Sequence, residues 1–181
     1  MWHRSRKEHF SMEKFRFTAK SITNLALLTA LEIVLSRFLS FSVWNVKIGF
    51  SFVPIAVAAM LYGPLAAGIT AALADFLGAV LFPIGPYFPG FTLTAFLMAA
   101  VLGLFLRREQ NWWHIAAAVV INQFILGLFL NTYWISILYK SPFGALLPVR
   151  AAQSALLTAV QIPVIHAVAR LLKRYGEKVA Q

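Results

Sequence analysis

IGFSFVPIAVAAMLYGPLAAGITAALADFLGAVLF, residues 48–82, is apolar almost throughout and carries one carboxylate, Asp75, and no cation. It is cut once, at Tyr62-Gly63-Pro64, where Gly turns the chain and Pro can begin a new helix. The stretch therefore reads as two helices, 48–62 and 64–82, folded into a tight hairpin. A membrane span needs about 20 mainly apolar residues, or a few fewer among protein neighbours. Working outward, further runs of that kind occupy 21–40, 91–106, 113–138 and 144–172, the last two long enough to tilt or protrude. The expected fold is all-α, a polytopic membrane protein with six transmembrane helices.

Composition agrees. Of 181 residues, 60% are hydrophobic and 12% charged, and mean hydropathy is +0.76, whereas a soluble domain has roughly a quarter of its residues charged. The net charge of +10 does not point to nucleic acid, because the basic residues flank apolar runs instead of forming a folded basic face. Cysteine is absent, which excludes disulfides, thiolate metal sites and cysteine nucleophiles. Residues 1–20 form a basic leader, and the apolar run that follows is too long for a signal peptide, so it is expected to be retained.

Orientation follows from where Lys and Arg lie near span ends. One side holds twelve: Arg4, Arg6, Lys7, Lys14, Arg16, Lys20, Arg107, Arg108, Arg170, Lys173, Arg174 and Lys178. The other holds four: Arg37, Lys47, Lys140 and Arg150. This predicts a multi-pass protein of the cell membrane with both termini cytoplasmic, organised as a leader at 1–20, a transmembrane domain at 21–175 and a cytoplasmic tail at 176–181. Trp44, Trp112, Trp113 and Trp134 fall near span ends, as interfacial aromatics do.

The four outer cations sit where positive charge is selected against, and a charge at depth costs about 2.5–3.5 kcal/mol on insertion scales. They can bind an anionic solute through charge-assisted hydrogen bonds, or snorkel to lipid headgroups, with Lys47 the weakest candidate. Asp75, among Ala71, Ala72, Ala74 and Gly78, must face protein or a polar cavity. It can accept hydrogen bonds from an amino-substituted heterocycle, or pair with Arg37; Glu32 is a weaker candidate of the same kind. Phe82-Pro83-Ile84-Gly85-Pro86-Tyr87-Phe88-Pro89-Gly90-Phe91 excludes a regular helix yet carries four aromatic rings. It reads as an outer lid whose rings, Tyr87 and Phe88 foremost, stack on a flat ligand, or as a re-entrant turn. Leu130-Asn131-Thr132-Tyr133-Trp134 places Asn131 and Trp134 where they can read a heteroaromatic ring or bridge helices. Small residues, Ala26 and Ala30 on the first span and Ala67, Gly68, Ala71, Ala72, Ala74 and Gly78 on the third, allow close packing, internally or against another membrane subunit.

There is no G-x-x-x-x-G-K-[ST] phosphate loop, no H-E-x-x-H, no G-x-S-x-G and no carboxylate pair, and His3, His9, His114 and His166 are not spaced as metal ligands. No enzyme and no cofactor is expected, and the halves show no inverted symmetry of a self-contained transporter.

From about Ser21 to Leu172 the chain resembles the substrate-binding S subunits of energy-coupling factor (ECF) vitamin transporters, most closely the folate-specific type. The resemblance rests above all on Phe82 to Ala95, with Ser36-Arg37-Phe38-Leu39, Ile48 to Ile55, Leu130 to Trp134 and Leu147-Pro148-Val149-Arg150 in support. Ile84 departs from the family, standing where a small polar residue is expected, and the leader is longer than usual. The resemblance implies capture of folate or a reduced folate at the outer face, and partnership with a transmembrane coupling subunit and two ATPase subunits. It implies a pterin against the lid and Asp75, glutamate carboxylates on Arg37, Lys140 and Arg150, and docking of the coupling subunit on Ala26 and Ala30. The alternatives are an S subunit for another flat vitamin such as riboflavin, and a non-transporting membrane assembly protein. Cationic thiamin fits a positive site poorly.

Overall fold

The computed structural model describes residues 18–43 and 46–179, with side chains at 41–47 and beyond 174 outside that description. The expectations for the leader up to Phe17, for Trp44, for the Lys47 and Lys178 side chains and for the end of the tail therefore lie outside the described residues. Helix α1 runs Ala19–Arg37, opened by a reciprocal cap in which the Thr18 side chain accepts from the Ser21 backbone N–H and the Ser21 side chain accepts from that of Thr18. Two three-residue strands follow, β1 (Phe41–Val43) and β2 (Val46–Ile48), paired antiparallel with Phe41 opposite Ile48. Then come α2 (Phe52–Tyr62), α3 (Pro64–Leu81), α4 (Pro89–Leu106), α5 (Trp112–Tyr139) and α6 (Phe143–Val179).

The fold is the all-α membrane architecture expected, with two corrections. The β1–β2 hairpin was not foreseen, and the second span is shorter than 48–62. Residues 46–48 are spent on the strand, and the chain then crosses the end of α1 so closely that a Cβ on Gly49 would lie 2.7 Å from Ser40 Cβ. Helix α2 is left with 11 residues, about 16 Å at 1.5 Å per residue, half the roughly 30 Å of a hydrocarbon core. Among the described residues, five helices are long and apolar enough to cross a membrane, and α2 is a shorter apolar helix.

The turn between α2 and α3 is the expected one. Gly63 has φ 84°, a region that favours Gly, and Pro64 occupies the first turn of α3, where its missing N–H costs nothing. Helix α4 crosses this turn in backbone contact: a Cβ on Gly103 would collide with Pro64 Cα. The small residues of α3 are used internally, with Ala66, Ala67, Gly68, Ala71, Ala74 and Gly78 all buried. Lipid tails are as apolar as side chains, so helix association draws on such close packing more than on hydrophobic burial.

The two ends of the bundle differ. Near the Gly63 and Arg107 turns the helices close on a dry core of Ala59, Met60, Leu102, Leu106, Ile115, Val119, Ile165 and Ala169. At the other end, where α1 stops and the 82–88 loop crosses, they diverge around a cavity. Large apolar side chains such as Leu27, Leu65, Leu93, Leu104, Ile125 and Leu156 are exposed around the bundle, as a lipid-facing surface requires.

Candidate ligand-binding cavity

The cavity holds about 460 Å³ and receives side chains from all six helices and the loop, within the range typical of small-molecule sites. Arg37 comes from the last turn of α1, Asp75 and Ala79 from α3, and Ile84 through Phe88 from the loop. Phe91 and Met98 come from α4, Asn131 and Tyr139 from α5, and Arg150 and Gln161 from α6. The wall is thus aromatic toward the loop, and the amides Gln123, Gln153 and Gln161 line it together with Glu32, Ser36 and Ser154.

Arg150 is buried and braced against α5: its Nε donates to Thr132 Oγ1 at 2.8 Å and its Nη2 to the Gly127 carbonyl at 3.2 Å. That brace depends on an unusual backbone. Residues Ile121–Leu130 of α5 form a π-helix, whose wider turn realigns carbonyls, and such stretches recur at functional sites. The Gln123 carbonyl accepts from Ser154 Oγ at 3.1 Å, so two carbonyls of this stretch are hydrogen-bonded to α6 side chains.

Arg37 is held differently. Its Nη2 reaches the Asp75 carbonyl oxygen at 3.4 Å, a long contact, and its buried Nε has no partner. The ion pair with the Asp75 carboxylate, considered from sequence, does not form. Asp75 Oδ2 instead accepts from Thr92 Oγ1 at 2.7 Å, and Thr92 Oγ1 lies 3.2 Å from the Tyr87 hydroxyl. Asp75 is therefore on the cavity wall but also ties α3 to α4, and through Thr92 to Tyr87 of the loop, whose ring lies edge-on to Phe76 at 5.7 Å.

Asn131 lines the cavity with a buried Oδ1 that has no partner. Tyr87 and Phe88 line it as expected. Two expected site residues do not. Trp134 stands behind Phe88, with ring centroids 5.5 Å apart, and its indole N–H donates to Thr94 Oγ1 at 3.1 Å, so it supports the loop instead of facing the cavity. Lys140 ends α5 in a left-handed conformation at φ 51°, exposed and outside the lining. Phe91, a ring of the expected lid, also lines the cavity, whereas sequence reading missed Gln123, Gln153, Ser154, Gln161 and Tyr139; the available signal was amides inside apolar runs. On α1, Ala26 and Ala30 are exposed while Thr29, Glu32 and Ser36 form the buried face.

A helical bundle with a lipid-facing exterior, packed at one end and opened at the other into a solute-sized cavity of cations, amides and rings, defines a multi-pass membrane protein of the solute-binding class. Residues 20–169 match the model of the family described as the ECF transporter, substrate-specific component, and the chain belongs to that family. It is 37% identical over 151 residues to the "Folate transporter FolT" of Clostridium novyi (strain NT), a match covering 83% of this chain and 88% of that one. It is 31% identical over 149 residues to the protein of the same name from Leuconostoc mesenteroides subsp. mesenteroides, covering 78% and 80%. Among solved structures it is similar to FolT bound with folic acid, with a TM-score of 0.81 at 32% identity over 85% of this chain and 95% of that one. It shares its fold with the S component of a bacterial ECF transporter, at a TM-score of 0.64 and 22% identity over 90% and 98% of the two chains.

Proposed function

We propose that this chain captures folate or a reduced folate at the lid end of the bundle, outside the cell, for an importer whose coupling subunit and two ATPase subunits drive release inward. The observation that carries the reading is Arg37, a guanidinium on the wall of a solute-sized cavity with no carboxylate within ion-pair distance among the described residues. A cation at depth without a counter-charge is costly, and an anionic ligand supplies the missing partner. Folate is a flat heterocycle joined to two carboxylates. Arg37 and Arg150 match the carboxylates, Tyr87, Phe88, Phe91 and Tyr139 the rings, and Asn131 and Asp75 the N–H donors of the pterin. The relatives named for folate support the same choice.

No bond is made or broken in this reading; the chain binds and hands over its ligand. Both termini lie in the cytoplasm, as the Lys and Arg distribution favours. The test is titration of the purified chain, alone in detergent, with folate, following tryptophan fluorescence, with riboflavin and thiamin as controls. Saturable quenching by folate and none by thiamin is expected. Saturation by riboflavin without folate binding would transfer the site to another flat vitamin. Failure of all three with a folded chain would favour the assembly protein.

A further inference from the structure

Gly78 lies on α3 one turn beyond Asp75, and it faces Arg37. A Cβ there would stand 2.8 Å from Arg37 Nε, 3.2 Å from Nη2 and 3.4 Å from Cζ. Three atoms of one guanidinium at these distances mean that the planar group lies across the bare Cα of Gly78. Hydrogen bonding does little to hold it, since Nη2 has one long contact and Nε has none. Glycine inside a helix is unfavourable relative to alanine; of the other buried small positions on α3, 66, 67, 71 and 74 are alanine, and Gly68 makes room for the Phe96 ring. The glycine at 78 is used where a cation, not another helix backbone, must come close.

We infer that Gly78 is the positioning residue for Arg37: the absent side chain forms the seat that aims the guanidinium into the cavity and so sets affinity for an anionic ligand. This rests on Arg37 being a ligand contact, as proposed above. A methyl group at 78 would meet a flexible side chain and not backbone, so α3 keeps its course and Arg37 gives way. A displaced guanidinium loses its alignment with a carboxylate, on which a bidentate pair depends.

The experiment is a double-mutant cycle on the full chain, with folate affinity by fluorescence titration and thermal stability as readouts. Gly78→Ala is expected to weaken folate binding about tenfold in the wild-type background, and less than about twofold in an Arg37→Ala background. Thermal stability in the Arg37→Ala background is expected to rise, because only the helix-favouring effect of alanine is left. Equal losses in both backgrounds would overturn the inference, since Gly78 would then act by another route. No loss in the wild-type background would overturn it as well. An Arg37→Ala variant that binds as tightly as the wild type is a separate failure, of the assignment of Arg37 itself, and removes the inference with it.

Discussion

Arg150 shows how one side chain can be braced by packing and still line the cavity. Its guanidinium has five N–H donors, of which Nε and one on Nη2 are used to grip Thr132 and the Gly127 carbonyl. The brace fixes where the charge lies before any ligand arrives, and pre-organisation of this kind lowers the cost of binding. Arg150→Ala is expected to weaken folate binding by about 10–100-fold, the equivalent of roughly 1.5–3 kcal/mol for a charge-assisted contact. Lys140→Ala, at an exposed position outside the lining, is expected to change affinity less than about threefold, as surface charges do. Titration of both variants against the wild type checks the pair, and equal losses would return Lys140 to the site. Arg37 and Arg150, which line the cavity, stood out in the sequence because they belong to the minority of cations at one set of span ends. Lys140 carried the same signal, but it ends α5 in a left-handed turn and lies exposed, outside the lining.

At the scale of elements, the α2–α3 turn was readable because Gly63-Pro64 interrupts an apolar run with residues whose backbone preferences are known. The length of α2 was not, because an apolar residue count cannot show where a chain doubles back over the end of α1. The π-helical stretch of α5 was hidden for a related reason: it is accompanied by hydrogen bonds from Arg150 and Ser154 on another helix, which no local pattern encodes. The amides of Gln123 and Gln161 were visible as letters, but their direction was not. Gly103 tests the packing at this scale. A Cβ would collide with the backbone of Pro64, so Gly103→Ala is expected to cost about 1–3 kcal/mol as an overpacked contact. A drop of several degrees in melting temperature follows for a chain of this size. Gly144→Ala is the control, because nothing lies within 4 Å of that Cβ. It is expected to leave the melting temperature level or raise it, and an equal drop in both variants would deny that α4 is seated on the turn.

Across the whole molecule, capture and packing occupy opposite ends of the bundle. The core from Ala59 to Ala169 closes the end that carries Arg107, while the cavity opens beneath the 82–88 loop. On the proposed reading, a subunit that holds a solute and then releases it to partners needs a second surface that does not share the first one's residues. The small residues divide along these lines: those of α3 are buried inside the bundle, whereas Ala26 and Ala30 of α1 remain exposed one turn apart. Small residues at that spacing on an exposed helix face allow a partner helix to approach closely, and on the proposed reading that partner is the coupling subunit. In the assembled importer, Ala30→Trp is expected to abolish folate uptake into vesicles while the purified variant binds folate with wild-type affinity. The bulk of an indole at an exposed position leaves the bundle intact but holds a neighbouring helix away. Loss of binding together with uptake would mean that α1 transmits the change to Glu32 and Arg37 on its own cavity side. Uptake that survives unchanged would move the docking surface to another face, and the exposed flank of α6 around Leu156 would be the next to test.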